Sequence, residues 1–153
     1  MPKLDRKAVR KDVGVSYPEP FRSRVGAIER IRLGTGGGLT QFGVNLTTLL
    51  PGDVSSMRHC QAKEDEFVWI VSGEAVLIDN DGDHPMGPGD AAAFPAGDGN
   101  AHHLVNRSDQ PVVMLEIGSR IPGETADYPD DDLAIGHTGG VRRFTHKDGT
   151  PYE

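Results

Sequence analysis

The stretch Gly52-Asp-Val-Ser-Ser-Met-Arg-His59-Cys-Gln61-Ala-Lys-Glu-Asp-Glu66-Phe-Val-Trp-Ile-Val-Ser-Gly73 decides how the rest of the chain is read. It opens at the turn Pro51-Gly52-Asp53 and closes at a second one, Ser72-Gly73-Glu74. Between them, Phe67-Val68-Trp69-Ile70-Val71 is a β-branched and aromatic run with the composition of a strand. Successive strand residues point to opposite sides, so Phe67, Trp69 and Val71 share one face and Val68 and Ile70 the other. Both faces are apolar, which is the pattern of a strand covered on both sides. One face is expected to look into a barrel. The other is expected to be covered by the chain's own arms or by a second copy, and a homodimer built partly on this strand is predicted. The same alternation puts His59 and Gln61 on one face, and Glu66, opening the next strand after a turn, can return to it.

Outward from this stretch the pattern repeats. Phe42, Val44, Leu46, Thr48 and Leu50 alternate ahead of Pro51, and Ala75–Ile78 leads into Asp79-Asn80-Asp81-Gly82-Asp83, a hairpin turn by composition. Short apolar runs follow at Ala91–Phe94, His103–Val105 and Val112–Ile117. On the other side, Val25, Ala27, Ile28, Ile31 and Leu33 precede the turn Gly34–Gly38 and read as a further strand. The 20 glycines and 11 prolines fall between these runs as punctuation, the signature of an all-β sandwich or barrel. A length of 153 residues suits one such domain.

The composition also excludes partners. A net charge of −7 argues against a nucleic-acid binder that works by bulk charge. No window approaches the roughly 20 apolar residues that cross a bilayer, so no membrane partner is expected. The single cysteine makes no internal disulfide, and MPKLDRKAVRKD lacks the apolar centre of a secretion signal. A cytoplasmic location is expected.

A second segment supplies another imidazole: Pro88-Gly89-Asp90-Ala-Ala-Ala-Phe-Pro95-Ala-Gly97-Asp-Gly-Asn-Ala-His102-His103-Leu-Val-Asn106. Together the two segments resemble the paired motifs of the cupin superfamily, G-x5-H-x-H-x3,4-E-x6-G and G-x5-P-x-G-x2-H-x3-N. Glu66 and Gly73 fit the first. Gly89, Pro95 and Gly97, and then His102 with Asn106, fit the second. One residue is inserted between Gly52 and His59 and two between Gly97 and His102, all in loops. The larger departure is Gln61, which stands where the family has its second histidine. The resemblance covers about Gly38 to Ile117. The flanks GLTQFGVNL (38–46), HLVNRSD (103–109) and RRFTHKDGTPY (142–152) resemble small single-domain, monocupin members.

The resemblance implies an all-β fold, a cupin-like double-stranded β-helix or jelly-roll barrel, over residues 23–119. An N-terminal arm over 1–22 and a C-terminal arm over 120–153 would pack on the barrel or on a partner subunit. In the family the His-x-His pair, the glutamate and the motif-two histidine hold one divalent metal. Carried over by position, the ligands are His59, Gln61, Glu66 and His102, with Glu66 also the candidate catalytic residue. Two imidazoles and a carboxylate are the donors of facial-triad iron sites. The Gln61 amide oxygen is a weaker donor than imidazole, so weaker binding and a shift toward oxygen-accepting ions are expected. Fe, Mn, Zn and Ni are not distinguished.

Two functions remain open at this point. One is a metal-dependent enzyme acting on a small molecule, with dioxygenase, isomerase and decarboxylase chemistry all within the family and the donor set leaning toward Fe(II)-dependent oxygenation. The alternative is a non-catalytic barrel that binds or senses a small molecule through a degenerate metal site. There, Gln61 would bond His59 or the ligand and Glu66 would simply pair with Lys63 or Arg58. His103, alternating with His102, faces outward, and Cys60 faces away from the motif residues. In a tail that closes the barrel mouth, Arg142 or Arg143 would clamp an anionic substrate by bidentate hydrogen bonds.

Overall fold

In the computed structural model, which describes residues 2–152, the apolar runs pair antiparallel into three sheets. The chain order is β1 (Lys11–Val13), α1 (Phe21–Val25), β2 (Glu29–Ile31), α2 (Leu33–Gly36), β3 (Phe42–Leu49), β4 (Cys60–Gln61) and β5 (Glu66–Ser72). It continues β6 (Ala75–Asp79), β7 (Gly82–Met86), β8 (Ala91–Phe94), β9 (His103–Val105), β10 (Val112–Ser119), β11 (Ala126–Asp127), β12 (Ala134–Thr138) and β13 (Val141–Thr145). A six-stranded sheet in the order β1-β2-β3-β10-β5-β8 and a three-stranded sheet β7-β6-β9 form the all-β double-stranded β-helix. A four-stranded sheet, β13-β12-β11-β4, joins the C-terminal segment to the barrel. Among the described residues no helix is long and apolar enough to cross a membrane.

Strand β10 lies between β3 and β5, and its register sorts the barrel interior into rows. Leu49 faces Val112, and the next row is Thr47, Met114 and Ile70. These five side chains are fully buried. The next row, Asn45, Glu116 and Val68, is half polar, and the last is Gly43, Gly118 and Glu66. The interior thus runs from dry and filled at one end to polar and glycine-lined at the other. A cavity forms where the two glycines omit side chains.

The alternation in β3 and β5 places its larger apolar set outside. Phe67, Trp69 and Val71 are exposed, at 38%, 47% and 50%, while Val68 and Ile70 face the core. Leu115 and Ile117 of β10 stand opposite Trp69 and Phe67, and Ala91 and Ala93 of β8 extend the same face. Within a single chain this outer face is uncovered.

Two stretches differ from the sequence reading. Residues 25–33 do not form one strand. Gly26 (φ +98°) turns the backbone, and a Cβ there would meet Asp53 Oδ1 at 2.1 Å. Only Glu29–Ile31 then remains to pair with β3, and the chain curls into the short α2, closed by Gly37 N–H donating to Leu33 O at 3.0 Å. The N-terminal residues do more than drape: Lys11–Val13 pairs with β2, and Tyr17 and Phe21 sink into the core. At the other end, Tyr128 and Leu133 are buried amid polar neighbours, and β12 and β13 join through Gly139-Gly140, both at positive φ as such tight hairpins require.

Ile70 sits at the centre of the dry rows. Ile70→Ala is expected to lower the unfolding free energy by about 2–5 kcal/mol, read from urea denaturation at fixed protein concentration.

Candidate metal centre

The two histidines are brought together by the backbone itself. His59 and His102 form an isolated antiparallel bridge, His59 N–H donating to His102 O at 3.2 Å and His102 N–H to His59 O at 2.8 Å. Directly opposed residues project to the same side, and the two rings lie 5.1 Å apart. Glu66 enters from the first position of β5, with Oε2 2.8 Å from His102 Nε2 and 3.5 Å from His59 Nε2. One potential ligand atom from each of the three residues lies within 4.8 Å of the others.

The far side of each ring is anchored. His59 Nδ1 is 2.9 Å from Met57 O and 3.2 Å from Ser56 Oγ, and His102 Nδ1 is 3.0 Å from Asn100 O. A carbonyl only accepts, so the network assigns the hydrogen of each ring to Nδ1 and turns the Nε2 lone pair toward Glu66. Two lone pairs and a carboxylate then confront one another, which is stable only with positive charge between them. Carbonyl support at Nδ1 is also how metal-binding histidines are oriented. Phe94 stacks on the His102 ring at 3.4 Å and 6°, holding it in plane.

The titration of the group follows. Burial pushes the Glu66 carboxyl up, but once the His102 and His59 rings also carry a proton at Nε2 they donate hydrogen bonds to it, and these outweigh burial and hold Glu66 well below the usual carboxylate range. Burial pulls the His59 ring down, yet the hydrogen bond and charge of Glu66 leave it above its ordinary value. The site attracts a positive charge, whether proton or cation.

Gln61 lies alongside. Its Nε2 donates to Glu66 Oε1 at 3.4 Å, while its Oε1 is buried with no partner among the described residues. Rotating the amide would set Oε1 against the Glu66 carboxylate, so the charge of Glu66 dictates the orientation. A buried acceptor without a donor costs about 1–3 kcal/mol. The two imidazoles and the carboxylate fit a divalent cation, whereas Gln61 turns its amide nitrogen, which is no ligand, toward Glu66.

The surrounding loops are pinned by the C-terminal segment. Ala126 of β11 pairs with Gln61, and Glu124 accepts the backbone N–H groups of Ala62 and Lys63. Arg58 makes a forked contact to Asp130 at 2.7 and 2.9 Å and reaches Ala101 O at 2.9 Å, tying both histidine loops to the tail. Arg58 therefore does not pair with Glu66, whose partners are the histidines and Gln61. His103 turns aside to Ser56 O at 2.9 Å. Burial raises the Cys60 thiol above its ordinary range, which suits packing rather than nucleophilic work. Asn106 is structural, its buried amide donating to Leu49 O and Gln110 O.

The three donors line a cavity of about 310 Å³, whose walls also carry Glu64, Glu116, Arg32, Arg120 and Arg142. Glu116 was detectable as the one charge at an inward position of Val112–Ile117. Glu64, Arg32 and Arg120 come from separate elements and left no local pattern. Burial raises the Glu64 carboxyl, whose Oε1 accepts the Ile121 N–H at 2.8 Å.

Comparisons with known proteins agree with this fold. The Cupin domain family matches residues 45–118. The structure superposes on a sugar phosphate isomerase of a cupin superfamily from Silicibacter pomeroyi with a TM-score of 0.93 and 47% identity, covering 99% of this chain and 97% of that one. A protein from Acidithiobacillus ferrooxidans, provisionally named a sugar phosphate isomerase, matches with a TM-score of 0.74 and 27% identity over 83% of this chain and 81% of its own. A polyketide cyclase from Streptomyces resistomycificus, at 17% identity, TM-score 0.60 and 78% and 79% coverage, shares the fold alone. No curated protein matches.

Titration of the chelator-treated protein with Mn²⁺ or Zn²⁺ is expected to show one site per chain, weakened at least 10–100-fold in His59→Ala and His102→Ala. Gln61→His is expected to tighten it. Unchanged uptake in both alanine variants would place the metal elsewhere.

Proposed function

As the chain belongs to the cupin superfamily, we propose that it holds one divalent cation between His59, Glu66 and His102 and isomerises a small phosphorylated sugar in the cavity above them. The convergence of these three side chains on one point carries the reading. The 47% identical neighbour supports isomerisation over the oxygenation that the donor set alone suggested.

Aldose–ketose isomerisation is redox-neutral within the substrate: a C–H bond breaks at one carbon, another forms at its neighbour, and carbonyl and hydroxyl exchange places. A bound divalent cation supplies Lewis-acid polarisation of the substrate oxygens. Glu66 serves catalysis as a ligand, since a carboxylate held so firmly ionised is a better donor than proton carrier near neutral pH. Glu64 lines the same cavity and spends only Oε1 on a backbone N–H, which supports it as the base that would take the proton from the substrate carbon through Oε2. The non-catalytic reading draws support from Gln61, whose amide nitrogen stands beside Glu66 where the family has a ligand.

We further propose that the outer face of Phe67, Trp69, Val71, Leu115 and Ile117 pairs with the same face of a second copy. The patch carries no charge and is contiguous across neighbouring strands, so an apolar, self-complementary occupant fits it.

Metal-loaded protein is expected to convert at least one pentose or hexose phosphate in ²H₂O with deuterium entering at the carbon next to the carbonyl, followed by NMR. Chelation should abolish the conversion and Mn²⁺ or Zn²⁺ restore it. Glu64→Gln should lower kcat by about 10²–10⁴-fold with unchanged metal content. Tight binding of such sugars without turnover would favour the non-catalytic barrel. For the assembly, scattering should show a dimer at micromolar concentration and a monomer for Trp69→Glu.

A further inference from the structure

A second cavity, about 700 Å³, opens beside the first and shares Arg32, Ser55, Ser56 and Arg142 with it. Its walls add Arg10, Lys11 and Arg30, and its one carboxylate is Asp12. Five cations thus meet in a chain of net charge −7, so their gathering does not follow from composition.

Their pairing is incomplete. Asp12 accepts Nε of both Arg10 and Arg32. Glu29 takes Lys11 at 3.4 Å, and Glu116 takes Arg30 Nε at 3.2 Å, while Arg30 Nη2 goes to Ser55 O at 2.8 Å. Three carboxylates pair with these five cations, so two positive charges have no ion-pair partner of their own among the described residues. Those charges fall at the wall between the cavities. Arg142 has no ion pair among the described residues and lies over the Phe144 ring at 5.4 Å. Arg32 gives only its Nε to Asp12, so both of its Nη groups remain without a partner among the described residues.

We propose that Arg32 and Arg142 form an anion subsite that takes the phosphate group of the substrate, with the sugar end reaching the His59–Glu66–His102 centre through the shared cavity. The sugar part of this assignment rests on the isomerase reading above; the anion part stands on the charges alone. A guanidinium fork matches two oxygens of a phosphate, and uncompensated charge in a cleft focuses the field on an incoming anion. Asp12 holds the Arg32 Nε and so aims the remaining donors. A phosphate gripped away from the reacting carbons would orient them without touching them.

The probes are inorganic phosphate, ribose 5-phosphate and ribose, titrated by calorimetry into the full chain with and without Mn²⁺. The wild type is expected to bind both phosphates in either state. Arg142→Gln, an exposed position, and Arg32→Gln should each weaken phosphate and ribose 5-phosphate tenfold or more, leaving ribose and Mn²⁺ binding unchanged, and Arg142→Lys should weaken them less. Phosphate binding that survives both glutamine variants, or that vanishes from the wild type when the metal is removed, overturns the subsite. Loss of phosphate binding in the variants without isomerisation of any sugar phosphate by the wild type upholds the subsite and removes the isomerase reading. Isomerisation with an unchanged KM in both variants does the reverse.

Discussion

The antiparallel register of β10 against β3 and β5 is the constraint on which the rest of the molecule depends. Strand side chains alternate with a period of two, so a slip of one residue would exchange the inner and outer faces. Met114 would leave the core, Leu115 would enter it, and Glu116 would quit the cavity for the apolar outer surface. The same register carries Glu66 into line with Gly118 and Gly43, which provide the space a carboxylate and its partners need. Packing at one end of the barrel thus fixes chemistry at the other.

That chemistry is a managed electrostatic conflict. Two imidazoles, anchored from behind by carbonyls, present lone pairs to a carboxylate, and the barrel wall holds all three in place. The conflict is resolved by positive charge, which is why the arrangement suits a cation. Around it the protein reverses sign: carboxylates at Glu64 and Glu116 are followed by guanidinium groups at Arg32, Arg120 and Arg142. A small polar molecule entering this cavity meets a cationic rim and a floor of metal donors.

Much of this was legible in the chain because it is local. The spacings from His59 to Glu66 to Gly73, and from Gly89 to His102 to Asn106, each lie within one short stretch of chain, so the sequence itself bounds how far apart those residues can fall. What was not legible is what tertiary contact decides. The orientation of Gln61 depends on the charge of Glu66, five residues on. The stretch from Val25 to Leu33 looked extended because its apolar residues alternate, yet Gly26 turns it against Asp53, a contact with no trace in the local pattern. The buried side chains of the tail, Tyr128 and Leu133 among them, are isolated in sequence among polar residues and join the hydrophobic core of the barrel.

Strand β4 has a single partner in its sheet, β11, which the ribosome makes some sixty residues later. Until Ala126 and Asp127 emerge, the backbone that bears Gln61 is held only by the His59–His102 bridge and by the Gly97 N–H on Gln61 O, although the barrel strands around it are already complete. Folding during synthesis would then finish the shell first and this corner of the candidate site only after Ala126 and Asp127 have been added.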